Sequence, residues 1–206
     1  MILIKQIHDL NMVPCRGGRE LFQLQKRQKG TGMTDRLTDL KDYDETRPAF
    51  TDSELIRVLD QLRRRRELVT TVESLTAGMI SARIADIPGS SDVLRRAYVT
   101  YSDEAKREMV GVQASTLEQW TAVSRQSACE MAQGGAEKAG AAACLSATGY
   151  AGPASGPDDT SVGHVFLGCF YRGQTVVEEH RYLGERNEVR AQAMNDALRM
   201  LAAAVR

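Results

Sequence analysis

Ser74 stands in the run Glu73-Ser74-Leu75-Thr76, directly after the β-branched and apolar residues Leu68 to Val72. A serine at a strand-to-helix turn lies near unpaired backbone N–H groups, which can hold an oxyanion or a phosphate. Its hydroxyl becomes a nucleophile only with a base beside it. The histidines do not supply one, because His8 falls in a polar leader while His164 and His180 lie on or beside a late hairpin. Lys106 is the better candidate if burial lowers its pKa enough for the amine to be neutral. Two further polar clusters, Tyr101 to Lys106 and Thr148 to Gly152, likewise follow strand-like runs. Taken singly, Ser74 and Thr76 read as helix caps and Lys106 as a surface lysine. Their coincidence at three strand ends is what marks a site.

The elements that must position these groups follow from periodicity. Thr51 or Ser53 caps a helix whose apolar face is Leu55, Val58, Leu59 and Leu62, and the run Arg63 to Arg66 reads as its solvated C-terminal end. Leu68 to Val72 predicts a buried strand, followed by a helix from about Thr76 to Ala85 that ends before Pro88 and Gly89. Ala97 to Tyr101 is a second strand. Ser102 or Asp103 caps a helix to Val110, and Ser115 and Ser124 cap two more, the latter running to about Lys138. Ala142 to Ala147 is a third strand, and a glycine-rich loop from Gly149 to Gly163 follows it. Val165–Tyr171 and Thr175–Tyr182 form a hairpin across Arg172 to Gln174, and a helix from about Glu188 to Val205 closes the chain. This alternation predicts an α/β fold, a three-layer α/β/α arrangement with a mixed sheet containing one antiparallel hairpin. Such sheets place ligand sites at the C-terminal ends of their strands.

Residues 1–48 differ from the rest. They mix glycines and charges with no sustained period, so this extension is expected to carry little packed structure, and Met33 offers a second start. Lysine plus arginine equal aspartate plus glutamate at 27 each, so no global field points to a nucleic acid or a membrane as partner. Cys15, Cys129, Cys144 and Cys169 are scattered without CxxC or metal-ligand spacing and read as reduced thiols. No apolar run is long enough for a membrane span and no secretory leader is evident, so a cytoplasmic location is expected.

Six ungapped blocks occur together in order: TVESLTAG (71–78), VTYSDEAKREMVGV (99–112), AVS (122–124), ATGYAGP (147–153), VGHV (162–165) and GERNEVRAQA (184–193). The pattern resembles the CinA C-terminal family over about residues 53 to 206, in its stand-alone form. The resemblance implies that residues 49–206 are an amidohydrolase domain that converts nicotinamide mononucleotide to nicotinate mononucleotide and ammonia. Carried onto this chain, the nucleophile is Ser74 and the base Lys106, with Tyr101 and Thr148 orienting the pair or the ring. The backbone from Thr76 to Gly78 would hold the oxyanion, and Arg186 and Arg190 the 5′-phosphate. Glu73, Thr76, Ala77, Gly78, Gly149 and Gly152 complete the substrate-binding set. No metal or cofactor is implied, the partner is a small-molecule nucleotide, and a homo-oligomer is expected. The family usually writes TAESCTGG where this chain has Val72, Leu75 and Ala77, and asparagine where it has Asp103; a lysine is missing from the loop after Pro153. The alternatives are a catalytically silent nucleotide-binding or partner-binding paralogue and an amidase of altered substrate.

Overall fold

A computed structural model describes residues 40–42, 48–153 and 162–206. In chain order these form β1 (Leu40–Asp42), α1 (Asp52–Arg65), β2 (Val69–Glu73), α2 (Met79–Ala85), a 3-10 turn (Ser90–Asp92), β3 (Tyr98–Val99) and α3 (Asp103–Val110). Then follow α4 (Ala114–Trp120), α5 (Arg125–Ala139), β4 (Ala143–Gly149), β5 (His164–Tyr171), β6 (Gln174–Arg181) and α6 (Arg186–Val205). The sheet runs β1-β6-β5-β4-β2-β3. β2 is parallel to β3 and to β4, whereas β4, β5 and β6 are successively antiparallel. The mixed sheet expected from the sequence is therefore present, with its one hairpin at β5–β6.

Side chains alternate across this sheet, as the period of two requires. Val69, Ala143, Leu145 and Leu167 join a large core with Leu55, Leu59 and Leu62 of α1, Ile80 and Ile84 of α2, and Leu198 and Leu201 of α6. On the other face Val72 and Cys144 meet Val110 at the end of α3 and Met131 and Ala136 of α5, with Leu117 of α4 packed alongside. Helices cover both faces. α5 lies close to β2 because Gly135 faces it; a Cβ there would collide with Val72 and Cys144.

Local chemistry sets the element ends. Thr51 caps α1 through a reciprocal pair with Glu54, and Ser124 caps α5 by accepting from Ser127 N–H at 3.1 Å. α4 begins at Ala114 after Gln113, one residue ahead of the expected Ser115 cap. The hairpin turn is two residues long, Arg172 (φ 48°) and Gly173 (φ 85°), a pair of positive values that suits the twist of the flanking strands. Within the segment expected to carry little packed structure, Leu40–Asp42 pairs in parallel with Glu179–Arg181 of β6. His8, Cys15, Met33 and residues 154–161 of the glycine-rich loop lie outside the described residues. The arginine run at the end of α1 is not simply solvated: Arg63 pairs with Asp60 and Asp92, and Arg65 donates to Tyr171 Oη at 2.9 Å. Cys144 and Cys169 are buried free thiols, as the sequence predicts for them. No helix among the described residues is long and apolar enough to cross a membrane.

Candidate active site

Three hydroxyl residues line up where the parallel strands end. Glu73 is in register with Val99 on one side and Ala147 on the other. The ladder continues one step further, with Thr100 N–H donating to Glu73 O at 2.8 Å and Ser74 N–H donating to Ala147 O at 2.9 Å. Thr100, Ser74 and Thr148 are thus neighbours across β3, β2 and β4, at the strand spacing of about 4.8 Å. Each is an even number of residues beyond Tyr98, Val72 or Cys144, so the row continues the sheet face covered by α3 and α5.

Lys106 approaches that face from α3. Ser102 caps this helix by accepting from Ala105 N–H at 3.2 Å, and one turn later Lys106 is turned inward with its side chain 2% exposed. Its Nζ donates to Thr100 O at 3.2 Å rather than to Ser74. Asp103 Oδ1 stands 3.9 Å away on a half-exposed side chain. Burial lowers the Lys106 pKa below the ordinary lysine value of 10.5, and the charges of Asp103 and Glu104 only partly oppose it.

Glu73 is buried at the base of the turn between β2 and α2. Its carboxylate accepts from Thr71 Oγ1, Gly78 N, Ile80 N and Ser81 N, all at 2.9 to 3.0 Å. These bonds engage the donors at the start of α2, so Glu73 holds the turn together. They also explain why α2 starts at Met79 and not at Thr76, since Ala77 (φ 49°) and Gly78 (φ 95°) are left-handed first. Ala77 N–H donates to Ser74 O and Met79 N–H to Thr76 O, each at 3.1 Å. The Thr76–Gly78 stretch therefore offers fewer donors than expected. What remains without an acceptor among the described residues is Thr76 N–H and, unanticipated, Leu75 N–H.

The two arginines diverge. Arg190 donates from Nε to Leu75 O at 3.0 Å, from Nη2 to Thr76 O at 3.1 Å and from Nη1 to Asn187 Oδ1 at 3.0 Å. Its guanidinium clasps the serine turn. Arg186 is exposed and bridges Gly152 O at 2.7 Å and Tyr101 Oη at 3.0 Å, bringing the Tyr101 and Gly152 regions together at the rim. Thr148 directs its hydroxyl to Ala122 O at 2.7 Å, so its own group braces the strained 121–124 loop before α5. Gly149 serves close approach, because a Cβ would lie 2.6 Å from His164 O. His164 and His180 are engaged by Glu179 at 2.7 Å and Glu178 at 3.1 Å.

Thr100 was not singled out by the sequence reading, although it touches both halves of the site. Its hydroxyl and that of Thr76 are buried without hydrogen-bond partners among the described residues. Orphan hydroxyls of this kind are uncommon in folded proteins. The arrangement sets a serine hydroxyl, a desolvated amine and open amides at one end of the sheet, the kinds of group that covalent acyl transfer uses.

Known proteins share this fold. A CinA superfamily protein from Klebsiella pneumoniae superposes with a TM-score of 0.71 at 35% identity, covering 74% of this chain and 96% of its own. One from Enterobacter cloacae gives 0.73 at 30% identity, covering 85% of this chain and 100% of its own. A CinA-like protein of Kosmotoga olearia is 39% identical over 141 residues, 68% of this chain and 34% of its own length. The chain spans about a third of the length of the curated relatives it matches. The model of the CinA C-terminal domain matches residues 53–205, and the chain belongs to that family.

Proposed function

We propose that this chain hydrolyses the carboxamide of nicotinamide mononucleotide to nicotinate mononucleotide and ammonia by a Ser74–Lys106 mechanism. Neutral Lys106 takes the Ser74 proton as Oγ forms a bond to the carboxamide carbon, and the carbonyl electrons move onto oxygen. Leu75 and Thr76 N–H groups receive that oxyanion. Collapse breaks the carbon–nitrogen bond, and the proton held by Lys106 leaves with ammonia. Water then gives a proton to the amine and adds to the ester; cleavage returns the proton to Ser74 and releases the acid. Arg186, beside Tyr101 at the rim, binds the 5′-phosphate.

The observation that carries this reading is the inward-facing, desolvated Lys106 resting on Thr100, the register neighbour of Ser74. A surface lysine paired outward with Asp103 or Glu104 would instead suit a silent paralogue. The test is ammonia release from nicotinamide mononucleotide by the wild type, Ser74→Ala and Lys106→Ala. Release by the wild type alone supports the reading, and equal background release from all three ends it.

A further inference from the structure

We propose that Arg190 is a positioning residue that orients and polarises one of the two amides receiving the oxyanion, that of Thr76, and is not a ligand of the substrate phosphate; this rests on Ser74 acting as the nucleophile. All three guanidinium nitrogens donate to oxygens of the chain, two of them to the carbonyls of Leu75 and Thr76. The Leu75 carbonyl and the Thr76 N–H belong to one peptide unit. That unit is trans, so it is planar with its C=O and N–H on opposite edges. A bond from Arg190 Nε to the carbonyl edge fixes the plane and turns the Thr76 N–H away from the arginine. A cationic donor on the oxygen also draws charge from the amide and strengthens its N–H as a donor.

The neighbouring amides show why this peptide matters. Ala77 N–H is bonded to Ser74 O, Gly78 N–H to Glu73 and Met79 N–H to Thr76 O. Of the two peptides that Arg190 bonds, the Leu75–Thr76 unit is one whose N–H has no acceptor among the described residues, as is the N–H of Leu75 beside it. Donors to a developing oxyanion are effective because they are held before the reaction starts, and a peptide free to rock loses that advantage. The cation stands behind the donor, where it favours negative charge in the tetrahedral state without touching the substrate.

The test uses Arg190→Gly and Arg190→Lys with three reactants. These are nicotinamide mononucleotide, nicotinamide riboside, which lacks the phosphate, and an alkyl fluorophosphonate, which an activated serine attacks at phosphorus with loss of fluoride. In both variants kcat is expected to fall about ten- to a hundredfold for both amides, with KM for the mononucleotide changed by less than about twofold. Fluorophosphonate labelling of Ser74 should slow by a similar factor. Guanidinium ion should restore part of both rates in Arg190→Gly and leave the wild type unchanged, which also shows that the variant is folded. A rise in KM confined to the mononucleotide, or labelling as fast as in the wild type, overturns the proposal. Arg190-dependent labelling in a protein that releases no ammonia supports this inference and removes only the deamidase reading.

Discussion

Lys106 and Thr100 are joined through one stretch of backbone: Lys106 Nζ donates to the Thr100 carbonyl at 3.2 Å, while Thr100 N–H donates to the Glu73 carbonyl at 2.8 Å. The residue that anchors the base therefore also fixes the strand position immediately before Ser74. One neutral carbonyl is a poor substitute for the hydration of an ammonium group, and Asp103 is too distant to compensate fully. The amine is left poised towards its neutral form.

That poise has a defined sign. Because the charged form is penalised in the folded chain, kcat/KM should rise with pH along a limb whose midpoint lies below 10.5. Asp103→Asn removes a neighbour that favours the charge and should move the limb to lower pH. A midpoint at or above the ordinary lysine value, or one indifferent to Asp103→Asn, would exclude Lys106 as the base. Stability follows the same direction: the penalty is absent above 10.5 and grows as pH falls through the window down to the lowered value. Lys106→Met should therefore stabilise the chain most near neutral pH, with the difference narrowing towards pH 10.5, as urea titrations at several pH values would record.

Much of this site is written in local signals. The β-branched run before Ser74, the Thr51–Glu54 cap and the alternation of the hairpin strands each announce their structure from a few adjacent residues. What escapes such signals depends on register or on packing between distant segments. Thr100 becomes a neighbour of Ser74 only through the β2–β3 alignment, which no short window contains. Arg186 and Arg190, four residues apart on a helix, read as a pair that reaches one anion. α6 instead passes over the serine turn, which brings Arg190 into reach of two carbonyls and leaves Arg186 at the rim. Glu73 reads as a polar site residue because its sequence neighbours are; its partners Ile80 and Ser81 lie seven and eight residues further on.

The buried Thr100 hydroxyl has no partner among the described residues, so removing it should relieve a desolvation cost. Thr100→Val keeps the shape and is expected to gain about 1 kcal/mol, a rise in Tm of roughly 2–4 °C for a chain of this size. Ammonia release should fall in the same variant, while Thr100→Ser retains it. A lower Tm with full activity would mean that the hydroxyl serves packing and not the site.

Glu73→Gln tests the turn. Four donors converge on the carboxylate, and an amide would accept on one side while presenting N–H to N–H on the other. A loss of about 3 kcal/mol in unfolding free energy is expected, because buried donors are left unsatisfied. An unchanged denaturation midpoint, coupled with a raised KM, would restore Glu73 to the substrate-binding role expected from the sequence.

Arg186 should behave as the opposite of Arg190. Its guanidinium is exposed, is held in place by Gly152 O and Tyr101 Oη, and keeps N–H groups beyond those two bonds. A phosphate seated there would gain a charge-assisted bond of about 1.5–3 kcal/mol. Arg186→Gln is accordingly expected to raise KM for nicotinamide mononucleotide by roughly ten- to a hundredfold with kcat little changed, and to leave nicotinamide riboside unaffected. Tyr101→Phe removes one of the two anchors and should produce a smaller shift of the same kind. Equal losses on the mononucleotide and the riboside would show that Arg186 supports the reacting centre, and the phosphate would then need another partner.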